Sequence, residues 1–390
     1  SEPLYKVNKK EWSNWFPLSF ITESFPGQFK NWFYSLIAMS TVLESTEPFK
    51  EVLGYASLLA EDGRPMHKSW GNSIEFNEGA DKIGADVMRW MFARQNPTEN
   101  LLFGYKVADE VRRKFHLKLW NVYNYFVTYA NLEHWSPNTE HPTSLTLRGA
   151  AQTVLDKWIL ARLDETTIVV TENLEKHDAS AAALSMEEFV DDLSNWYVRR
   201  SRDRSDKENF YETAYEVLLT LSKLMAPIAP FMSDLIYTNL TGDESVHLCD
   251  WPHFAKATRG EAKLISEMKV VREIVELAHA TRKLEKIAVR QPLQELKILN
   301  LKFEIKEYEK LILDELNVKE IKVVEGKGDL SVSLDTNITS DLKAEGFARD
   351  IIRQIQEERK VLGTALDEQV FVALPYWPKE HEEYIKRKAL

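Results

Sequence analysis

A single cysteine, Cys249, is the only thiol in 390 residues. That excludes an internal disulfide framework and a cysteine-based zinc cluster. Long apolar runs are missing as well. None reaches the ~18 residues that a membrane span requires, and residues Ser1 to Lys10 lack the apolar core of a signal peptide. Gly and Pro number 14 each, too few for a collagen-like or low-complexity chain. Positive charge is in deficit: 50 Lys and Arg face 61 Asp and Glu, a net charge of −11. This argues against a generic polyanion binder. A specific one survives the objection, because such binding depends on a local basic face. No G-x-G-x-x-G or P-loop occurs. The nine histidines show no metal spacing, and His247 and His253 flank Cys249 without a fourth ligand. The expectation is a soluble, cytoplasmic protein with no protein-bound metal.

What is present is aromatic and helical. Eleven tryptophans are expected mostly in cores. The first hundred residues mix short strands with helices. Leu18 to Thr22 is a short apolar segment, Gln28 to Leu43 has helical spacing, and Val52 to Ala60 reads as a buried strand broken by Gly63, Arg64 and Pro65. Ala80 to Arg94 reads as a helix ending before Pro97. Val107 to Leu132 is an amphipathic helix, and Asn131 to Arg148 a loop. Long helices then follow at about Thr153 to Leu174, Ala179 to Asp203, Asn209 to Met225 and Met232 to Leu240. Short connections between long helices predict a bundle. In the tail, helices at Ala262 to Lys286, Ile305 to Leu316 and Asp341 to Leu362 alternate with strands. Those strands are read at Leu296 to Leu301, Ile321 to Val324 and Val370 to Leu374. The chain is therefore mostly α. A partial Rossmann-type α/β segment (1–100) leads to a helical bundle (101–255), then to a small α/β domain (256–390).

Four stretches carry chemistry. In the run from Glu61 to Asn72, a strand end and a Gly-turn precede Lys68, Ser69, Gly71 and Asn72. Such a loop can set an ammonium and a hydroxyl against a phosphate, and α/β sheets bind ligands at strand C-terminal ends. An isolated Lys-Ser pair would read as a solvated surface loop. Upstream, Glu23, Gln28 and Trp32 lie on an amphipathic segment. Arg199, Arg200, Arg202 and Arg204 put four guanidinium groups within six positions near a helix end. They can meet phosphates or pair with Asp191, Asp192, Asp203 and Asp206. Arg290-Gln291-Pro292-Leu293 follows a helix region, residues 256–290, with nine Lys or Arg against five Glu.

Taken together these stretches resemble the class I aminoacyl-tRNA synthetases, and within them the isoleucyl family. Residues 65–72 are similar to the KMSKS signature loop: Met66, Lys68, Ser69, Gly71 and Asn72 match, while Pro65 and His67 replace its first Lys and first Ser. The resemblance implies that Lys68 and Ser69 are catalytic, with Met66, His67, Lys68, Gly71 and Asn72 around ATP, supplied as its magnesium complex. Glu23, Gln28 and Trp32 would surround the aminoacyl-adenylate. Here Asn31 stands where the family has Gly, and the Glu23–Gln28 spacing is one residue longer. The segment Gly84 to Trp90 resembles the helix after the signature loop, with a packing role. Asn195-Trp196-Tyr197-Val198-Arg199-Arg200, with Asp156 to Leu160 and Ala226 to Phe231, resembles the anticodon-binding helical domain. It implies tRNA contacts by Arg199, Arg200, Arg202 and Arg204, of which Arg202 and Arg204 are the stronger candidates. The His-x-Gly-His half and the editing domain of the family are absent from the chain, which is expected to be a C-terminal fragment. The implied function is activation of isoleucine with ATP and transfer to isoleucine tRNA. A valyl fragment and a non-catalytic tRNA-binding module are the alternatives. Half a Rossmann sheet exposes an edge and a face. Either self-association or the helices of the bundle are expected to stabilise it in the fragment, and the complete enzyme is expected to be a monomer.

Overall fold

A computed structural model describes residues 7–137, 153–252, 259–326, 328–365 and 368–389. The chain divides into two compact units, Ser1–Thr258 and Arg259–Leu390. The expected boundary between bundle and tail, at 255/256, falls in 253–258, outside the described residues, as does the 138–148 part of the expected loop.

The first unit begins with α1 (Lys9–Trp15) and β1 (Leu18–Ser24). A short helical turn Phe25–Gln28 and a π-helical turn Phe29–Phe33 then run into α2 (Tyr34–Glu44). β2 (Phe49–Tyr55) pairs parallel with β1, and β3 (Leu58–Ala60) pairs parallel with Leu101–Phe103, which is β4. Between them lie α3 (Phe76–Ile83) and α4 (Ala85–Arg94). Parallel pairing through helical crossovers is what the Rossmann-type reading predicts. The details differ. Val52 to Ala60 is not one buried strand: Ala56 and Ser57 separate β2 from β3, the two belong to different sheets, and Val52 is 50% exposed. The expected boundary at 100/101 cuts just before β4, so the β3–β4 pair spans it. The helix expected over Ala80 to Arg94 is two helices. Gly84 at φ +95° turns the chain where a side-chain-bearing residue would be strained.

The bundle follows as α5 (Tyr105–Lys114), α6 (His116–Leu132), α7 (Val154–Glu175), α8 (Ala179–Asp192), α9 (Lys207–Met225) and α10 (Pro230–Thr241). The break at Phe115, with φ −117° and ψ −69°, splits the single helix expected over Val107 to Leu132. The expected helix to Asp203 also changes form, passing through a π-helical stretch Leu193–Val198 and one turn Arg199–Ser201. Much of the unit's core lies here and against α4: Trp90, Phe115, Leu119, Trp158, Ile159, Phe189, Tyr197 and Phe210 are all fully buried. Each such side chain contributes roughly 1.5–3 kcal/mol relative to exposure.

The second unit starts with α11 (Arg259–Leu284). β5 (Leu293–Leu299), α12 (Glu309–Leu316), β6 (Val318–Val324) and β7 (Ser331–Leu334) form a sheet in the order β6-β5-β7. β5 pairs parallel with β6 and antiparallel with β7. α13 (Ser340–Leu362) is capped by the Thr339 hydroxyl and ends at Gly363. α14 (Glu382–Ala389) closes a cluster of Ala348, Ile351, Ile352, Ile355 and Ile385. The strand expected at Val370 to Leu374 does not form: the apolar alternation is there, but among the described residues no strand pairs with it, and Phe371 is fully exposed. Among the described residues, no helix is long and apolar enough to cross a membrane, and no cluster of three or more His, Cys, Asp or Glu could hold a metal.

Candidate functional site

The loop after β3 is built by its own hydrogen bonds. The Gly63 amide donates to the Ala60 carbonyl at 2.8 Å, and the Ala60 amide to the Arg64 carbonyl at 2.8 Å. Pro65 bridges back to Leu59. The Asn72 side chain then closes the far end. Its amide donates to the Pro65 carbonyl at 2.9 Å, and its carbonyl accepts the His67 amide at 2.9 Å. Lys68–Trp70 form a 3-10 turn, and Gly71 at φ +68° completes it in the left-handed region that favours glycine. The His67 ring rests on Trp70, with centroids 4.4 Å apart. Asn72 and Gly71, expected beside ATP, are thus the frame of the loop. Lys68 and Ser69 are exposed at its tip. No carboxylate among the described residues pairs with the Lys68 ammonium. Arg64, by contrast, is held by Asp62, which accepts from its Nε at 2.7 Å.

The second group sits at the C-terminal ends of β1 and β2, which are in register from Leu18–Phe49 to Ser24–Tyr55. Glu23 accepts the Tyr55 hydroxyl at 3.0 Å and the Ser24 amide at 2.7 Å. Burial, then the Glu23 carboxylate, raises the Tyr55 pKa above its ordinary value. Gln28 accepts the Trp32 amide at 3.3 Å and so caps the π-helical turn. Trp32 is partly exposed and tilts against buried Phe33. Gly54 lies so close to Phe25 that a Cβ would stand 3.0 Å from the Phe25 Cβ. Among the described residues, no hydrogen bond joins this group to the loop. Both lie at strand C-terminal ends, which the sequence predicts for the loop alone.

α4 ties the loop segment to the bundle. The Asp86 carboxylate accepts the Phe231 and Met232 amides at 3.3 and 2.7 Å, capping α10 from outside. Burial raises its pKa, although both amides pull the other way. Arg89 donates to the Ile228 and Pro227 carbonyls, and Trp90 and Arg94 both donate to Glu187 on α8. The sequence reading assigned this helix to packing. It missed Glu187, for which no local signal exists because its partners lie more than 90 residues away.

The four arginines separate. Arg199 is exposed and donates from Nε to the Asn195 carbonyl at 2.7 Å; Arg200 is half-buried. Arg202 is exposed, with its guanidinium 5.4 Å from the Tyr125 ring centre. Arg204 turns inward. It gives Asp156 two hydrogen bonds, at 2.7 and 2.8 Å, and pairs with Asp206 at 2.5 Å. Its side chain is 10% exposed and Asp156 is fully buried. Arg204 therefore braces the interior, where the sequence had favoured it for tRNA; its partner Asp156 lies 48 residues away. Burial alone would lower the Arg204 pKa, but the bonds to Asp206 and Asp156 outweigh it and raise it. Asp156 also accepts the Tyr197 hydroxyl at 2.8 Å and forms a capping box with Thr153. Burial, then Asp156, holds the Tyr197 phenol neutral, well above its usual range.

The comparisons with known proteins fit this division. Residues 3–103 match the family model "tRNA synthetases class I (I, L, M and V)". Residues 156–298 match the "Anticodon-binding domain of tRNA ligase". The first match holds the loop, Glu23, Gln28 and α4; the second begins at Asp156 itself. These define a chain of the class I tRNA synthetases. An isoleucine–tRNA ligase of Dehalococcoides mccartyi is 34% identical over 414 residues, 96% of this chain and 40% of that protein. One of Deinococcus radiodurans is 32% identical, covering 94% of this chain and 42% of that protein. The chain belongs to the class I tRNA ligases, is similar to isoleucine–tRNA ligases over nearly its whole length, and spans well under half the length of these relatives. It is also similar to the LeuRS chain of a ternary complex with tRNA and LeuAMS from Agrobacterium radiobacter K84. That likeness has a TM-score of 0.49 at 13% identity, over 82% of this chain and 38% of that one.

Proposed function

We propose that this chain is the part of an isoleucine–tRNA ligase that supplies the signature loop and the tRNA platform. The complete enzyme would join isoleucine to ATP, releasing pyrophosphate, and pass the aminoacyl group to isoleucine tRNA. The observation that carries the reading is the Lys68 ammonium. It stands exposed on a loop closed by Asn72, at the C-terminal end of a parallel strand, in a chain whose relatives are isoleucine–tRNA ligases. As a carboxylate attacks the α-phosphate, negative charge grows on the departing pyrophosphate. A fixed cation there stabilises that charge more than it stabilises the bound substrate. Ser69 offers a hydroxyl beside it, with Met66 and His67 on the same loop. Glu23, Gln28 and Trp32 would orient the adenylate, with Trp32 as an apolar wall. Arg199, Arg200 and Arg202 face tRNA in this reading, and Arg204 supports them from within.

The test is binding of isoleucine and valine tRNA transcripts by the purified chain at two salt concentrations. The expected result is tighter, salt-sensitive binding of the isoleucine transcript. Equal affinity for the two would overturn isoleucine specificity. Absence of binding to either would overturn the platform.

A further inference from the structure

Arg202 differs from its neighbours in what lies beneath it. Its guanidinium sits over the ring of Tyr125 on α6. Tyr129, one turn later, lies 4.6 Å from Tyr125 by ring centroids, and Phe210 of α9 meets Tyr125 edge-on at 6.1 Å. The backbone that carries Arg202 is pinned, because Lys207 Nζ donates to its carbonyl at 2.8 Å. Tyr125 is half-buried. Burial first, then Tyr129, lifts its phenol to about 12, so the ring stays neutral. Asp203 and Glu133 act on that same ring. A phosphate arriving here would meet two carboxylates as well as one guanidinium, whereas a neutral planar base would not be repelled. Guanidinium planes and aromatic rings are the surfaces on which unpaired bases stack.

We propose that Arg202, held over Tyr125 beside Tyr129, is a stacking platform for one unpaired nucleobase of the bound RNA. This rests on the tRNA reading above and changes the role of Arg202 within it, from phosphate contact to base contact. Lys at this position keeps the charge and loses the plane.

The test uses the full chain and the anticodon hairpin of isoleucine tRNA, with 2-aminopurine at successive loop positions, and the same hairpin made abasic in the loop. Arg202→Lys and Arg202→Ala are each expected to weaken the normal hairpin about tenfold, the size of one lost stack. Both should leave the slope of log affinity against log salt unchanged and the abasic hairpin equally bound. One 2-aminopurine position should change its fluorescence on binding the unsubstituted chain and lose that change with Arg202→Lys. The proposal falls if Arg202→Lys binds like the unsubstituted chain while Arg202→Ala loses about one unit of salt slope, since the guanidinium would then be a phosphate contact. It also falls if the abasic hairpin binds as tightly as the normal one. Binding of neither hairpin nor whole tRNA by the unsubstituted chain would instead overturn the tRNA reading itself. Tyr125→Leu is the second variant: circular dichroism checks its fold, and it should weaken the normal hairpin without touching the salt slope.

Discussion

The signature loop and the helical bundle handle charge in opposite ways. On the loop, Lys68 is exposed at the tip of a frame made by Asn72 and Gly71. In the bundle, Arg204 is enclosed by Asp156 and Asp206, and Asp156 also takes the Tyr197 hydroxyl. The difference separates a charge left open to solvent, which the proposed function gives to a ligand, from a charge consumed by the fold. An exposed ammonium costs little to maintain and loses nothing when a phosphate arrives. A buried guanidinium would have to break several charge-assisted hydrogen bonds first.

The sharpest way to break the comparison is at the bundle end. Asp156→Ala leaves Arg204 and the Tyr197 hydroxyl without their main acceptor and removes the capping box of α7. Removing one partner of a buried ion pair costs about 3–5 kcal/mol. Denaturant unfolding should show a loss of that size, with Asp156→Asn intermediate. A loss below ~1 kcal/mol would mean that Asp206 alone satisfies Arg204.

The loop end predicts the reverse pattern. In the complete ligase carrying this segment, Lys68→Ala should slow adenylate formation by roughly 10²–10³, the usual cost of deleting one group aimed at developing charge. Stability and tRNA affinity should stay unchanged. Pyrophosphate exchange and tRNA titration read the two separately, and equal losses in both would place Lys68 on the tRNA path.

A third experiment addresses the joint between the two regions. Asp86→Ala removes the acceptor of two α10 amides, which should cost about 1–2 kcal/mol, as other helix caps do. Thermal unfolding of the unit should shift downward, while the salt dependence of tRNA binding should not. If the variant is as stable as the parent, Arg89 alone docks α4 on the Pro227–Ile228 turn.

These pairings also explain how far the sequence could be read. Helical periodicity located the long bundle helices, and the resemblance to the signature loop singled out Lys68 as a candidate, because both signals are local. Arg202 and Arg204 are two residues apart and look alike in sequence; only the fold brings Asp156 to one and Tyr125 to the other. The split at Gly84 has a signal in glycine itself, but the split at Phe115 has none, since neither Gly nor Pro marks it. Val52 is apolar and reads as core, yet it is half-exposed, because burial of a strand depends on a covering layer that its own sequence does not encode. Val370 to Leu374 has the alternation of a strand and, among the described residues, lacks a paired neighbour. A strand exists only as one partner of a ladder.

The smallest effect comes from a residue at that unmarked split. His116 is buried against Trp90 and Phe115, edge-on to both rings, with centroids at 5.7 and 5.2 Å. Among the described residues, neither ring nitrogen has a hydrogen-bond partner. Burial, helped by the nearby Arg112 charge, lowers its pKa to about 4. The unfolded chain takes up this proton near pH 6.5 and the folded chain only near 4. Stability is therefore intact above 6.5 and is lost progressively as pH falls between those values. At pH 5.5 the loss should be about 1 kcal/mol relative to pH 7.5. His116→Phe keeps the ring, removes two unsatisfied nitrogens, and should be as stable as the parent or more so at pH 7.5. The difference between the two proteins isolates His116 from Asp86 and Glu212, whose raised carboxyl pKa values act in the opposite direction. Urea midpoints at the two pH values decide the matter. A parent and variant that lose stability in parallel would show that His116 is protonated without cost, and that the aromatic stack opens to admit the charge.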